Sequence, residues 1–380
     1  MICMAYFRRD YAITAIFPSC ALALIAALLF GVSTPLVQIL GRSVGTFTTA
    51  ALLYGGAAVV GALVTRRVNR EARVQRGDVR RLMLVALLGA VIGPVALAWG
   101  LQHTSALAAS LMLTLEALFT VVLARMLYRE TMDLLVRVAV SLLFFGALFL
   151  VFDQIPTPNS REGSAQLLGL LAVLVATAAW GVDNTLSRAL AERDPGQVVM
   201  IKAALGTVAT ALLGYALGES LPTWIAALQL LAVGATGYGL SLRFYLLAQR
   251  SFGAGRTGSV FAFAPFFGAL FAIALGDRSA TTGLAIGGVL MFAGVVLHLA
   301  ERHSHEHLHD ALWHEHAHRH DDGHHGATDD HFDNDFGNGS DDATHENIQG
   351  TSATHSHRHH HRSTRHTHEH APDVHHGHTH

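Results

Sequence analysis

The chain of 380 residues is 51% hydrophobic and only 14% charged, and its mean hydropathy is positive, which excludes an ordinary soluble fold. Charge divides it in two: residues 1–300 carry 21 Arg and Lys against 13 Asp and Glu, whereas residues 301–380 carry 5 against 15 and hold 24 of the 26 histidines. The sequence therefore reads as a membrane body followed by a histidine-rich tail.

A hydrocarbon layer about 30 Å thick needs roughly 20 apolar residues per helix, because each backbone polar group must be bonded within its own segment. Ten such stretches follow one another. The first, at about 20–40, lies behind an N-terminal segment 1–19 that carries Arg8 and Arg9. With no small-residue cleavage site after it, this stretch reads as a retained helix and not as a signal peptide. The next four are expected at about 46–64, 82–101, 105–127 and 134–152. A linker at 153–165 leads to five more at about 166–186, 197–218, 225–247, 257–275 and 281–300. The fold class expected is an all-α integral membrane protein with ten transmembrane helices in two halves, 20–152 and 166–300. The two cysteines, Cys3 and Cys20, have neither disulfide-framework nor zinc-site spacing and read as free thiols.

Arginine positions set the orientation, since positively charged loops stay cytoplasmic. With the N-terminus inside, 18 Arg and Lys fall on the inner side, among them the run from Arg66 to Arg81, and only Arg42, Arg161 and Arg278 fall outside. Ten crossings return the tail to the cytoplasm, so both termini are expected there. The arginine run reads as a topology determinant, and no nucleic-acid partner is expected.

The halves repeat. Phe30-Gly31-Val32 precedes Ser33-Thr34-Pro35, and 150 residues later Trp180-Gly181-Val182 precedes Asp183-Asn184-Thr185. Leu115-Glu116-Ala117-Leu118-Phe119 recurs 148 residues on as Phe263-Ala264-Pro265-Phe266-Phe267, and Phe144-Phe145-Gly146 as Phe292-Ala293-Gly294. Five crossings per repeat make the second half an inverted copy, the arrangement suited to alternating access around a midplane site.

Over residues 20–300 these motifs resemble the drug/metabolite transporter superfamily, specifically its EamA-type proteins. The resemblance implies two five-helix repeats and a transporter rather than an enzyme. The family's Trp-Gly stands here as Phe30-Gly31 in the first half, and its Glu-Pro as Glu116-Ala117 and Ala264-Pro265. With its histidine tail the chain is similar to the superfamily's nickel/cobalt efflux members of bacterial metal-resistance clusters. This implies a multi-pass protein of the bacterial inner membrane that exports divalent cations and has no prosthetic group. Its expected partners are the lipid bilayer and metal ions, and a homodimer is compatible with the pattern.

Ionisable residues inside hydrocarbon are the functional candidates. Glu116 lies in the middle of its expected helix and must face a cavity or a partner; it could bind a divalent cation, exchange a proton, or serve as a structural acid. Thr120 lies one turn further on the same face, with Thr114 and Met112 nearby. Asp183 and Asn184 could form an entry site or simply cap and pack. Arg125, Asp183, Lys202, Arg243 and His298 fall close enough to helix ends to snorkel. His103, roughly 20 Å from Glu116 along a helix, cannot share a metal with it and is an exit-ligand candidate, otherwise a solvated loop histidine.

The tail reads as a disordered cytoplasmic segment, 301–380, in which His303, His305, His307 and His309, then His314, His316, His318 and His320, alternate at two-residue spacing. Neutral imidazoles at this density favour zinc, nickel, copper and cobalt, and also allow a pH response. No GxxxxGK[ST] loop is present, so ATP hydrolysis by this chain is not expected. Three functions fit: proton-coupled nickel or cobalt export with a metal-collecting tail, export of a metabolite or amino acid with a metal- or pH-responsive tail, and a membrane-anchored metal buffer or sensor.

Overall fold

A computed structural model of the chain describes residues 3–65, 74–128, 134–153, 155, 161–187, 190, 193–252 and 254–299, and four tail segments. Several arginines of the 66–81 run, and His320, lie outside the described residues. The body is helical. Its first helix, α1 (Cys3–Gly41), begins well before the apolar run, since residues 3–17 contain neither glycine nor proline. It is followed by α2 (Thr46–Thr65), α3 (Val79–Ala86) and α4 (Gly93–His103), the last two joined by a π-helical stretch at Leu87–Ile92. Next come α5 (Ala106–Met112), α6 (Leu115–Tyr128) and α7 (Leu134–Asp153). The second half holds α8 (Arg161–Ser187), α9 (Pro195–Ala216) and α10 (Trp224–Val233), then a π-helical stretch at Gly234–Leu240 leading into α11 (Ser241–Phe252). It ends with α12 (Ala254–Phe261), α13 (Ala264–Ala274) and α14 (Thr282–Leu299).

Among the described residues, eight spans are long and apolar enough to cross a membrane, and they coincide with the first eight expected stretches. The last two expected stretches appear as shorter apolar helices, Ala264–Ala274 and Thr282–His298. The ninth is shortened by a break at Ala262 and Phe263 before Pro265, a residue that has no N–H to carry the helix through. A matching break at Leu113 and Thr114 separates α5 from α6, and there Thr114, Glu116 and Ala117 bond three residues back instead of four.

Contacts between the halves come in exchanged pairs. α1 packs on α11 and α13, and its counterpart α8 packs on α4 and α6; α2 packs on α9, and α7 on α14. Glycines in the repeated motif permit the closest approaches. A methyl group at Gly31 would collide with the Ala264 carbonyl, and one at Gly181 with Phe119 Cβ, so each motif glycine lets its helix lie against the broken helix of the other half.

Carboxylates tie the halves together at the connections. Glu219, between α9 and α10, accepts from the Phe47 and Thr48 N–H groups (3.0 and 2.8 Å) and from Thr48 Oγ1 (2.7 Å) at the start of α2. Asp277, after α13, accepts from the Leu107 N–H (3.0 Å) at the start of α5, and Asp153 accepts from Thr281 Oγ1 (2.5 Å) before α14. Glu219 and Asp277 thereby satisfy N–H donors that a helix start leaves unpaired. On the opposite face Arg193 pairs with Asp78 at 2.9 Å.

Four strands, β1 (His303–His309), β2 (Leu312–His318), β3 (His355–His361) and β4 (Thr364–His370), form two antiparallel ladders, β1 with β4 and β2 with β3. Histidine recurs at two-residue spacing through most of each strand, the period of extended backbone. The register sets histidine opposite histidine, as in His305 with His368 and His316 with His357.

Burial raises the Glu219 carboxyl, but the Thr48 hydroxyl and the Phe47 and Thr48 N–H groups outweigh it and hold it below the ordinary range. Its stabilisation is then complete above the unfolded value, about 4.3, and is lost as pH falls through the lower folded value. Glu219→Ala should cost about 1 kcal/mol at neutral pH, by loss of the cap, and the difference from the native chain should shrink in acid. Thermal unfolding of both proteins across pH checks this.

Candidate functional site

Midway along the bundle, α1, α2, α6, α8, α9, α11 and α12 line a cavity of about 80 Å³. Its polar lining includes Glu116, Asp183, Asn184, Lys202 and Ser241, and much of the rest is aromatic: Phe30, Tyr54, Trp180, Tyr238, Tyr245 and Phe261. Three of these residues, Trp180, Asp183 and Asn184, occur at i, i+3 and i+4 on α8 and so share one face. Glu116 enters from the first turn of α6, immediately after the helix break.

Two polar contacts organise the cavity. Asn184 Nδ2 donates to Glu116 Oε1, joining α8 to α6, and Lys202 Nζ on α9 forms an ion pair with Asp183 Oδ2. Asp183 and Lys202 are 3% and 6% exposed, so neither charge has bulk water to turn to. The other Asp183 oxygen accepts from Ser187 Oγ at 3.1 Å.

The first π-helical stretch shapes this region. Gly89 in its middle presents its carbonyl to both Tyr54 Oη and Trp180 Nε1, the latter at 3.0 Å. A methyl group at Gly89 would overlap the Asp183 carboxylate and the Lys202 ammonium. The second π-helical stretch contributes Gly237 and Tyr238 to the same wall. Phe30, where the repeat has Trp180, meets that tryptophan edge-to-face at 5.8 Å and Tyr238 at 5.7 Å.

Of the residues expected from sequence, Glu116, Asp183 and Asn184 are brought together here. Thr120 is not among the lining residues: its hydroxyl donates to the Glu116 carbonyl at 2.8 Å and is spent on its own helix. Thr114, beside the break, buries a hydroxyl with no hydrogen-bond partner among the described residues. His103 ends α4 instead of standing in a loop. Its ring stacks on Trp99 at 4.0 Å, and Nδ1 lies 2.7 Å from the Trp99 carbonyl, to which it donates. It lines a separate cavity of about 510 Å³ with Gln38, Arg42, Gln166 and Asp277. Among the described residues no three His, Cys, Asp or Glu side chains are grouped to hold a metal ion.

Sequence reasoning placed Lys202 among the residues that reach the interface, whereas it lies in the site. The signal was present in composition, because it is the single lysine in a chain with 25 arginines. Nothing comparable marked Tyr54, Tyr238 or Tyr245.

The model of the EamA-like transporter family matches residues 17–152 and again residues 167–300, the two halves that share the site. The chain belongs to this family. The EamA-like chain is 28% identical over 309 residues to an uncharacterized transporter of Methanothermobacter thermautotrophicus, covering 77% of this chain and 87% of the relative. An uncharacterized transporter of Clostridium kluyveri is 23% identical over 233 residues, 60% of this chain and 75% of the relative. A solved crystal structure, 20% identical, superposes with a TM-score of 0.55 over 74% of this chain and 96% of its own, a likeness of fold. The EamA-like protein is thus a multi-pass membrane transporter with a duplicated family unit.

Gly89→Ala should disrupt the cavity although it adds one methyl group. The expected loss is about 1–3 kcal/mol of stability, the usual cost of overpacking, together with loss of transport. Ala90→Ser, one residue on, provides the comparison, and thermal unfolding of the full-length protein measures the difference.

Proposed function

We propose that this EamA-like protein is a secondary transporter that exports a divalent metal cation, nickel or cobalt foremost, from the cytoplasm in exchange for protons. The observation that carries the reading is the pair of carboxylates, Glu116 and Asp183, on one cavity of about 80 Å³ midway along the bundle. Such a space suits an ion with a few waters, whereas drug-sized ligands occupy roughly 300–1,000 Å³. Glu116 is the exchangeable group: its bond to Asn184 leaves one carboxylate oxygen for a proton in one state and a cation in the other. Asn184 orients it and supplies an amide oxygen once the side chain turns.

Alternating access is supported by the exchanged contacts between halves and by the paired π-helical stretches and helix breaks, which are the pattern of an inverted duplication. Orientation rests on the arginine asymmetry, which puts both termini in the cytoplasm of a bacterial cell. There the histidine tail collects nickel, cobalt, zinc or copper and raises its concentration at the inner mouth.

A second reading keeps the fold and changes the cargo to a small metabolite such as an amino acid. It is favoured by Lys202 and the aromatic walls: a zwitterion would set its ammonium on Glu116 and its carboxylate towards Lys202.

In inside-out vesicles the native chain should accumulate nickel or cobalt in a manner sensitive to collapse of the proton gradient. Glu116→Gln should fall to the level of empty vesicles while the tail still binds metal, and a chain ending at Ala300 should keep transporting. Normal nickel accumulation by Glu116→Gln would refute the assignment; accumulation of an amino acid and not of metal would establish the second reading. Metal retention that disappears with the tail and ignores the gradient would mark a buffer.

A further inference from the structure

We propose that the Lys202 ammonium is a tethered counter-ion that occupies a cation position of the transport site, and that it makes the site select divalent over monovalent cations. The proposal rests on the cation-transport reading and adds the basis of its valence selectivity.

Several features point this way. Lys202 and Asp183 line the same cavity as Glu116, so the ion pair belongs to the site and not to a distant part of the bundle. Asp183 is adjacent in sequence to Asn184, the partner of Glu116, and both project from one face of α8. The pair is held without slack: Ser187 Oγ fixes the second Asp183 oxygen, and the absence of a side chain at Gly89 gives the ammonium and carboxylate the space they fill. A buried ion pair is a poor way to stabilise a fold, since its desolvation cost can exceed its attraction, so retention of this one beside the transport carboxylate calls for another role.

The charge arithmetic supplies that role. With Asp183 neutralised by Lys202, an ionised Glu116 is the remaining charge among Glu116, Asp183 and Lys202. A monovalent cation that displaced the ammonium would exchange one positive charge for another, and it would compete with a group held in place by its own backbone at high effective concentration. A divalent cation brings a second charge to the two carboxylates, Glu116 and Asp183, and can displace the ammonium where potassium or sodium cannot. The lysine then waits at the cavity wall and returns to Asp183 when the ion leaves, so the empty carrier never holds two unpaired carboxylates in a low-dielectric space.

The experiment uses the full-length protein with two readouts. One is nickel accumulation in inside-out vesicles, in potassium or in N-methylglucamine at equal ionic strength. The other is the thermal unfolding temperature of the purified protein in the same two salts without nickel. Native protein and Lys202→Arg should be indifferent to potassium in both. Lys202→Met should unfold at higher temperature in potassium, and its nickel accumulation should be reduced several-fold by it. Asp183→Asn/Lys202→Met, which removes both charges, should lose the potassium effects. Lys202→Gln, which keeps a donor for Asp183, replaces the methionine variant if that variant does not fold. Absence of both potassium effects in Lys202→Met and Lys202→Gln overturns the proposal. Stabilisation by potassium without inhibition of nickel accumulation also overturns it, because the cation position would then lie off the transport path. A native protein that accumulates no nickel, combined with potassium-stabilised Lys202→Met, would defeat the nickel reading and leave the cation position standing.

Discussion

A charge inside hydrocarbon must be neutralised where it stands, and in this protein the Asp183–Lys202 pair meets that requirement at the meeting point of three helical segments. Asp183 comes from α8, Lys202 from α9, and both pass over Gly89 of the π-helical stretch between α3 and α4. A side chain at residue 89 would push the pair apart. The extra residue that a π-turn accommodates also leaves the Gly89 carbonyl free to accept from Tyr54 and Trp180 in place of a regular helical donor. The aromatic walls of the cavity are therefore positioned by the same local irregularity that makes room for the ion pair. Glu116 and Asn184 then complete a polar floor that joins α6 to α8.

Much of this was legible in the chain. Apolar runs of helical length gave the order of the spans, because backbone satisfaction in lipid leaves no other structure for them. Glu116 stood out as a carboxylate in the middle of an apolar helix and Asp183 and Asn184 as a polar pair near a helix end, and all three line the cavity. Their contact was not legible, since residues 116 and 184 meet through packing of α6 on α8, which no local pattern encodes. Lys202 was misread for a related reason: counting residues from a helix end measures distance along one helix and ignores a cavity that reaches towards that end. The π-helical stretches were hidden as well, because Leu87–Ile92 and Gly234–Leu240 have the composition of ordinary apolar helix.

The repeat clarifies which features are scaffold and which are chemistry. Gly89 and Gly237 are 148 residues apart, each within a π-helical stretch, and each faces a motif residue of the other half: Asp183 and Ser33 respectively. Asp183 corresponds to Ser33, 150 residues earlier, and Lys202 to Tyr54, 148 residues earlier. The same positions thus carry an ion pair in one half and two hydroxyls in the other. Glu116 reverses the bias, for its counterpart is Ala264. Glycines, π-turns and helix breaks are shared between the halves and build the shape; the charged groups are not shared.

That asymmetry has an electrostatic consequence. A duplicated scaffold whose two halves carried identical charges would face each other across the cavity with like signs, and at this separation two unpaired carboxylates or two ammonium groups repel strongly in a low dielectric. Confining the ion pair to the second half and the lone carboxylate to the first leaves a single uncompensated charge in the middle of a symmetric frame. The glycines and helix breaks that the halves share shape the cavity, and the residues in which they differ give it its charged groups.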